Sequence, residues 1–257
     1  MRIIRYQIND EAPKFGWLLD DKIGDIEGDL FGRYRRRDAK TPLADVKLLA
    51  PSVPSKIVCV GRNYLEHARE LGNEVPERPL LFLKPPSALI GDGEAIVLPA
   101  ASQQVEHEGE IGVVIGTPLR RGDRAAARAA IRGITCVNDV TARDLQRTDG
   151  QWTRAKGFDT FCPAGPVVWS PPRGFDLSEL TVTCRVNGAT RQRGAAQDMA
   201  FDIPALLSYI SGVMTLEPGD LVATGTPAGV GPLVPGDVVE VEIPGVGVLR
   251  NTVAAEG

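Results

Sequence analysis

Apolar positions along the chain come in short runs, broken every few residues by Gly, Pro, Asn or Asp. Runs of this length predict short strands joined by turns, not long amphipathic helices. Residues 15–19 and 22–26 read as strands flanking an Asp20-Asp21 turn, and 30–37 as a basic helical stretch. Pro51-Ser52-Val53-Pro54-Ser55 reads as a linker, because two close prolines resist both helix and central strand. A small leading module, 1–50, would therefore precede a main domain, 51–257. In that domain the pattern predicts strands at 56–61, 80–83, 134–137, 181–186, 220–223, 238–243 and 248–253. Helices are expected at 63–71, stopping at Gly72, at 124–130, and as one longer element at 203–213. Many short strands with few helices indicate an α+β or mostly-β roll, not a doubly wound sheet.

One apolar run is interrupted by acids: Val105-Glu106-His107-Glu108-Gly109-Glu110-Ile111-Gly112-Val113-Val114-Ile115-Gly116. Side chains alternate along a strand, so Glu108 and Glu110 would share one face while Gly109, Ile111 and Val113 take the other. Adjacent carboxylates repel and resist desolvation unless a cation or a shared proton offsets their charge. A hard divalent ion such as Mg²⁺ or Mn²⁺ is the simplest offset. An edge strand with a solvated acidic face fits the same spacing. His107 falls on the opposite face from Glu108, in a structural or supporting place.

Bulk properties narrow the function classes. The chain has 257 residues, 43% hydrophobic and 24% charged, with a formal net charge of −4. An acidic balance argues against nucleic acid as a partner, and Arg33-Tyr34-Arg35-Arg36-Arg37 is read as a solvated basic face. The apolar runs are too short to span a bilayer, and the first residues enter a strand-like pattern without a signal peptide. The four cysteines lack a Cys-x-x-Cys pair, which suggests reduced, buried thiols in a cytoplasmic protein.

Other segments carry chemistry too. Asp139 ends the apolar run 134–138, where a buried strand leaves toward a helix. Thr141-Ala142-Arg143-Asp144 resembles a capping box, which would employ Asp144 as a cap and leave Asp139 without local work. His67 and Glu70 are three apart on the expected helix and so share a face. A carboxylate beside an imidazole raises its basicity, although a solvated polar helix face has the same composition. Lys156 sits in a stretch without clear period and matters only if the fold brings it to the carboxylates. The 223–232 loop, Ala-Thr-Gly-Thr-Pro-Ala-Gly-Val-Gly-Pro, is a hairpin turn or a donor loop for an anion, but lacks the lysine of a P-loop.

The order of these segments is specific. Gly61-Arg62-Asn63-Tyr64 with His67 and Glu70, Phe82-Leu83-Lys84-Pro85, His107-Glu108-Gly109-Glu110, Asn138-Asp139-Val140-Thr141-Ala142-Arg143-Asp144-Leu145-Gln146, Lys156-Gly157-Phe158-Asp159 and Thr224-Gly225-Thr226-Pro227 follow one another. In this order they resemble the fumarylacetoacetate hydrolase family, from about residue 56 to the C-terminus. The resemblance implies a mixed β-roll of that family's C-terminal domain type, usually a homodimer, with Glu108, Glu110 and Asp139 as ligands of Mg²⁺ or Mn²⁺. It places Lys156 beside the metal and Gln146 and Thr226 on the substrate's oxygens. Arg62 and Tyr64 join them as substrate-binding residues. Arg143 would either do the same or form a structural ion pair. Residues 63–71 would act as a lid that brings His67 and Glu70 over the substrate. The charge of Glu106, a variable position, would tune the metal or face solvent.

The implied substrate is a small 2-oxo acid, cleaved beyond C3 through an enolate held by the metal and Lys156. In an acylpyruvate, water activated by His67 and Glu70 attacks C4; in oxaloacetate, C4 leaves as CO₂. The competing enzyme reading is a 2-hydroxyhepta-2,4-diene-1,7-dioate isomerase or 5-oxopent-3-ene-1,2,5-tricarboxylate decarboxylase of aromatic catabolism. Sugar-acid hydrolysis, a silent small-acid binder and a bare scaffold are further alternatives. The scaffold gives no reason to pair Glu108 with Glu110.

Overall fold

The Val- and Ile-rich runs pair into sheets of 13, five and three strands in the computed structural model, which describes residues 1–70, 72 and 76–257. The strand Gly109–Ile115 lies inside the large sheet, antiparallel to Ile131–Asn138 on one side and Leu221–Ala223 on the other. Leu221–Ala223 runs parallel to Ile57–Gly61, which pairs with Leu80–Lys84. On the other side Ile131–Asn138 pairs with Cys162–Trp169, and that strand with Arg2–Gln7 of the N-terminal strands. The N-terminal strands thus extend the large sheet.

Alternation fixes what each face meets. Ile111, Val113, Ile115, Ile134 and Cys136 pack with Val182, Cys184, Val239, Val241 and Leu249 of the five-stranded sheet. Val114 and Val137 face the other way, onto Ile57, Cys59, Cys162, Leu221 and Ala223. Strands covered on both faces read as continuous apolar runs, and this is why the acids stood out. The edge-strand alternative is excluded, since Gly109–Ile115 has neighbours on both sides and Glu108 and Glu110 are 4% and 1% exposed. The acidic run is two strands, not one: Val105–His107 belongs to the three-stranded sheet and Gly109–Ile115 to the large one.

The longer helix is Ile203–Val213, as its pattern predicted; Asp202 accepts from Ala205 N at its start, and Leu206, Leu207 and Ile210 are buried. Two expectations fail. The basic stretch at 30–37 contains a strand, Tyr34–Arg36, paired with Lys22–Gly28. Its charges decorate an exposed edge: Arg37 meets Glu27 at 2.7 Å and the Arg36 guanidinium lies 4.8 Å from the Trp17 ring centre. The capping box at 141–144 also does not form. Thr141 and Ala142 pair as a short strand with Val105–His107, so the Thr141 hydroxyl turns back to donate to the Asp139 carbonyl. Asp144 instead ties down the preceding loop, accepting from Ser102 Oγ at 2.6 Å and Gln103 N at 2.9 Å.

The first helix is Leu65–Glu70; its expected last residue, Leu71, lies outside the described residues. All four cysteines are buried free thiols. Among the described residues, no helix is long and apolar enough to cross a membrane.

Candidate functional site

Two chain segments deliver three carboxylates to one point. Glu108 sits at the break between two strands, Glu110 two residues into the next, and Asp139 just past the end of Ile131–Asn138. Backbone bonds hold the segments in register: Asp139 N donates to the Glu108 carbonyl at 2.8 Å, and Asn138 Oδ1 accepts from Glu108 N at 2.9 Å. One oxygen from each of Glu108, Glu110 and Asp139 lies within 4.8 Å of the others, and all three residues are buried.

Cations surround two of the three acids. Lys156 Nζ bridges Glu108 Oε2 at 2.9 Å and Asp139 Oδ2 at 2.6 Å. Arg143 Nη2 donates to Glu108 Oε1 at 2.6 Å, and Lys84 Nζ to Asp139 Oδ1 at 2.5 Å. Burial alone would raise the Glu108 carboxyl, but Lys156 and Arg143 outweigh it and hold the group well below the ordinary carboxylate range. Burial also works against the Lys156 charge, yet Asp139 and Glu108 together keep that ammonium above the usual lysine value.

Glu110 is different. Its Oε2 accepts from Gly225 N at 2.8 Å, and among the described residues no side-chain cation touches it. Burial, then repulsion from Asp139 and Glu108, pushes its carboxyl well above the ordinary range. A carboxylate in that position calls for a cation, and the donor set is all hard oxygen. Both features fit Mg²⁺ or Mn²⁺. Each of Glu108 and Asp139 keeps a second lone pair per oxygen beside its lysine or arginine contact, so an ion need not displace them.

The carboxylates form one wall of a cavity of about 520 Å³ that Arg62, His67, Glu70, Arg143, Gln146, Lys156 and Thr226 also line. His67 is 5% exposed, not solvated, and its Nδ1 lies 3.2 Å from Glu70 Oε2. Glu70 reaches across to the Thr/Gly loop as well, accepting from Gly229 N at 3.0 Å. Arg143 forms the ion pairs described, adding Glu106 Oε2 at 2.8 Å, and donates to Gln146 Oε1 at 2.6 Å. Thr226 Oγ1 donates to the Gly109 carbonyl and accepts from Gln192 Nε2, so its only proton is engaged. Gln192 also accepts from Gly109 N and meets His107 Nδ1 at 3.0 Å, giving His107 a supporting place behind the acidic strand.

Tyr64 is the exception among the expected residues. It does not line this cavity but borders a separate cleft beside Arg193 and Met199, its strand bridge with Met199 turning it away. Sequence reasoning missed several participants. Lys84 stood in the Phe82-Leu83-Lys84-Pro85 motif without an assigned role; it ends the strand Leu80–Lys84 and is 1% exposed. Phe82 and Trp152 meet edge-on at 5.3 Å on the cavity wall, and Lys156 Nζ lies 4.9 Å from the Phe82 ring centre. Glu106 is buried against Arg143, which removes the solvent-facing alternative.

The Thr224-Gly225 turn is specific about its glycine. Gly225 has φ +99°, and a Cβ there would lie 2.7 Å from Asn63 Cβ. Gly225→Ala is therefore expected to cost about 2–4 kcal/mol by chemical denaturation. It should also weaken divalent-ion binding, because the amide that holds Glu110 must shift; unchanged values of both would contradict this account.

Comparison with known proteins matches residues 56–254 to the family model described as fumarylacetoacetate (FAA) hydrolase C-terminal, and residues 1–51 to one described as Rv2993c-like, N-terminal. An uncharacterised protein of Archaeoglobus fulgidus is 52% identical, covering 89% of each chain. A mitochondrial oxaloacetate decarboxylase of Dictyostelium discoideum is 45% identical over 74% of this chain and 89% of its own. An oxaloacetate tautomerase of Bacillus subtilis is 43% identical over 82% and 74%. Among solved structures, a 2-hydroxyhepta-2,4-diene-1,7-dioate isomerase of Mycobacterium marinum superposes with TM-score 0.89 at 43% identity, covering 100% and 99%. A Sphingobium maleylpyruvate hydrolase in complex with manganese(II) and pyruvate gives 0.81 at 32%, covering 100% of both chains.

Proposed function

The chain belongs to the fumarylacetoacetate (FAA) hydrolase family, and from that premise we propose that it is an Mg²⁺- or Mn²⁺-dependent enzyme cleaving a C–C bond of a small 2-oxo acid. Oxaloacetate decarboxylation and acylpyruvate hydrolysis are the proposed reactions. The observation that carries the reading is the convergence of Glu108, Glu110 and Asp139 within 4.8 Å, on the wall of a cavity that Arg62, Arg143, Arg147 and Lys156 also line. Such a site suits an anionic, chelating substrate. The relatives named for oxaloacetate, and the structural neighbour holding manganese and pyruvate, support the same substrate class.

When bound, the ion would supply Lewis-acid polarisation of the substrate's keto and carboxylate oxygens. The chain's own residues do the rest. Lys156, fixed between Glu108 and Asp139, places a buried ammonium where negative charge grows on the keto oxygen as the C3–C4 bond breaks. Gln146, its carbonyl oxygen engaged by Arg143, has its amide N–H groups left for the substrate. Glu70 beside His67 Nδ1 keeps the proton on that nitrogen and leaves Nε2 as base. With an acylpyruvate, His67 takes a proton from water, the hydroxide adds to C4, and the C3–C4 electron pair stays with the pyruvate fragment until it is protonated. With oxaloacetate the same bond breaks as CO₂ departs, and no water is consumed.

A second reading, keto–enol or double-bond isomerisation, is favoured by the tautomerase and isomerase names among the relatives. It uses the same charge stabilisation without a leaving group. One assay separates them: purified protein with Mg²⁺ is given oxaloacetate and acetylpyruvate, following enol absorbance and pyruvate together. Pyruvate release from at least one substrate, abolished by EDTA, is expected; enol loss without pyruvate would move the function to tautomerisation. The family premise also makes a homodimer the proposed assembly.

A further inference from the structure

We propose that Arg62 reads the far end of the substrate and selects 2-oxo acids that carry a second carboxylate over those ending in a neutral group. This rests on the functional reading above and narrows its substrate class.

The other cations of the cavity already have partners. Lys156 serves Glu108 and Asp139, and Arg143 serves Glu106, Glu108 and Gln146. Arg147 is exposed and donates to Gln104 Oε1 at 2.8 Å. Arg62 is half-buried in the cavity wall and, among the described residues, has no ion pair or side-chain hydrogen bond. A guanidinium partly withdrawn from water is best compensated by a planar anion that can take two of its N–H groups.

Backbone geometry shows that this placement is imposed. Arg62 has φ +57°, a left-handed conformation that side-chain-bearing residues adopt infrequently. It follows directly on the strand Ile57–Gly61. The next residue, Asn63, is locked by Phe201 N donating to its Oδ1 at 2.9 Å and by its Nδ2 donating to the Thr224 carbonyl at 2.8 Å. Strain of this kind persists where the surroundings over-determine it, and here it holds the arginine at the cavity. The cavity then offers a cluster of three acid oxygens that fits a cation and, at Arg62, a guanidinium without an anion. A metal-chelating head with an anionic tail satisfies both.

The test compares two probes of equal chain length, 2-oxoglutarate and 2-oxopentanoate, titrated calorimetrically into Mg²⁺-loaded protein. They differ only in a distal carboxylate against a methyl group. Wild type is expected to bind the dicarboxylate about tenfold or more tighter. Arg62→Met should collapse that ratio to roughly twofold, Arg62→Lys should retain an intermediate ratio, and Arg147→Met should keep it. In kinetics, the ratio of kcat/KM for oxaloacetate over acetylpyruvate should fall about fivefold or more in Arg62→Met, with KM carrying the loss. A ratio that survives Arg62→Met, that collapses in Arg147→Met instead, or that is absent from wild type overturns the proposal. Should wild type turn over neither substrate while Arg62 still governs the binding ratio, the cleavage reading fails and the role of Arg62 stands.

Discussion

Glu110→Gln is expected to abolish divalent-ion binding while leaving the metal-free protein as stable as before. The expectation follows from how unequally the three acids are supported. Glu108 and Asp139 are each held by two side-chain cations, whereas Glu110 has a single backbone amide from Gly225. Burial and its two acidic neighbours already push the Glu110 carboxyl toward its neutral form when no ion is present. Glutamine is close to that neutral form in shape and still accepts from Gly225, so folding stability should change by less than about 1 kcal/mol. Ion binding should weaken by more than about a hundredfold, since even partners behind a ligand cost 10–100-fold when removed. Activity on 2-oxo acids should disappear with it. Asp139→Asn provides the contrast. It strips the compensating charge from Lys84 and half of that from Lys156, which should cost about 3–5 kcal/mol in folding. Calorimetry with Mn²⁺ and denaturation of both variants separate the two behaviours. If Glu110→Gln kept wild-type affinity, the ligand set would be wrong.

The residues that sequence analysis picked out are those whose chemistry contradicts their surroundings. Two acids inside an apolar run could be seen without coordinates, because period-2 alternation alone placed them on one face. Strand positions were likewise recoverable where Val and Ile runs ended in Gly or Pro, as in Thr181–Val186 and Val238–Ile243. Lys84 and Tyr64 show the limit. Lys84 lies in strand register like any surface lysine, and only the packing of Leu80–Lys84 beside Ile57–Gly61 brings its ammonium to Asp139, 55 residues away. Tyr64 fell in a motif whose neighbours do reach the cavity, but the bridge to Met199 rotates it off that path.

The same limit explains the two failed local readings. The 141–144 segment has the letters of a capping box, yet a competing strand pair with Val105–His107 claims its backbone before a cap can form. The basic run near 33–37 has no helical period of apolar residues to oppose its charges, and the open edge of Lys22–Gly28 captures it as a strand. In both cases pairing with another strand outweighs local propensity: for 141–142 that strand lies more than thirty residues back, and for 34–36 it is the preceding arm of a hairpin.

His67→Ala should separate the two proposed reactions. Hydrolysis of an acylpyruvate needs a base for water, and His67, oriented by Glu70 through Nδ1, is the buried imidazole of the cavity. Loss of such a base costs about 10²–10⁴ in rate, and kcat for acetylpyruvate should fall by that much. Oxaloacetate decarboxylation consumes no water, so its kcat should fall less than about tenfold. Glu70→Gln should lie between, because glutamine can still accept from Gly229 N and from His67 Nδ1 but only as a neutral amide. A purely structural loss would lower both reactions together, since the Glu70–Gly229 contact and the cavity shape serve both. Added imidazole gives the decisive reading: it should restore acetylpyruvate hydrolysis to His67→Ala in proportion to its free-base concentration and leave decarboxylation unmoved. Equal losses in the two reactions, with no rescue, would reduce His67 to a packing residue and shift the search for the water's base to another group on the cavity wall.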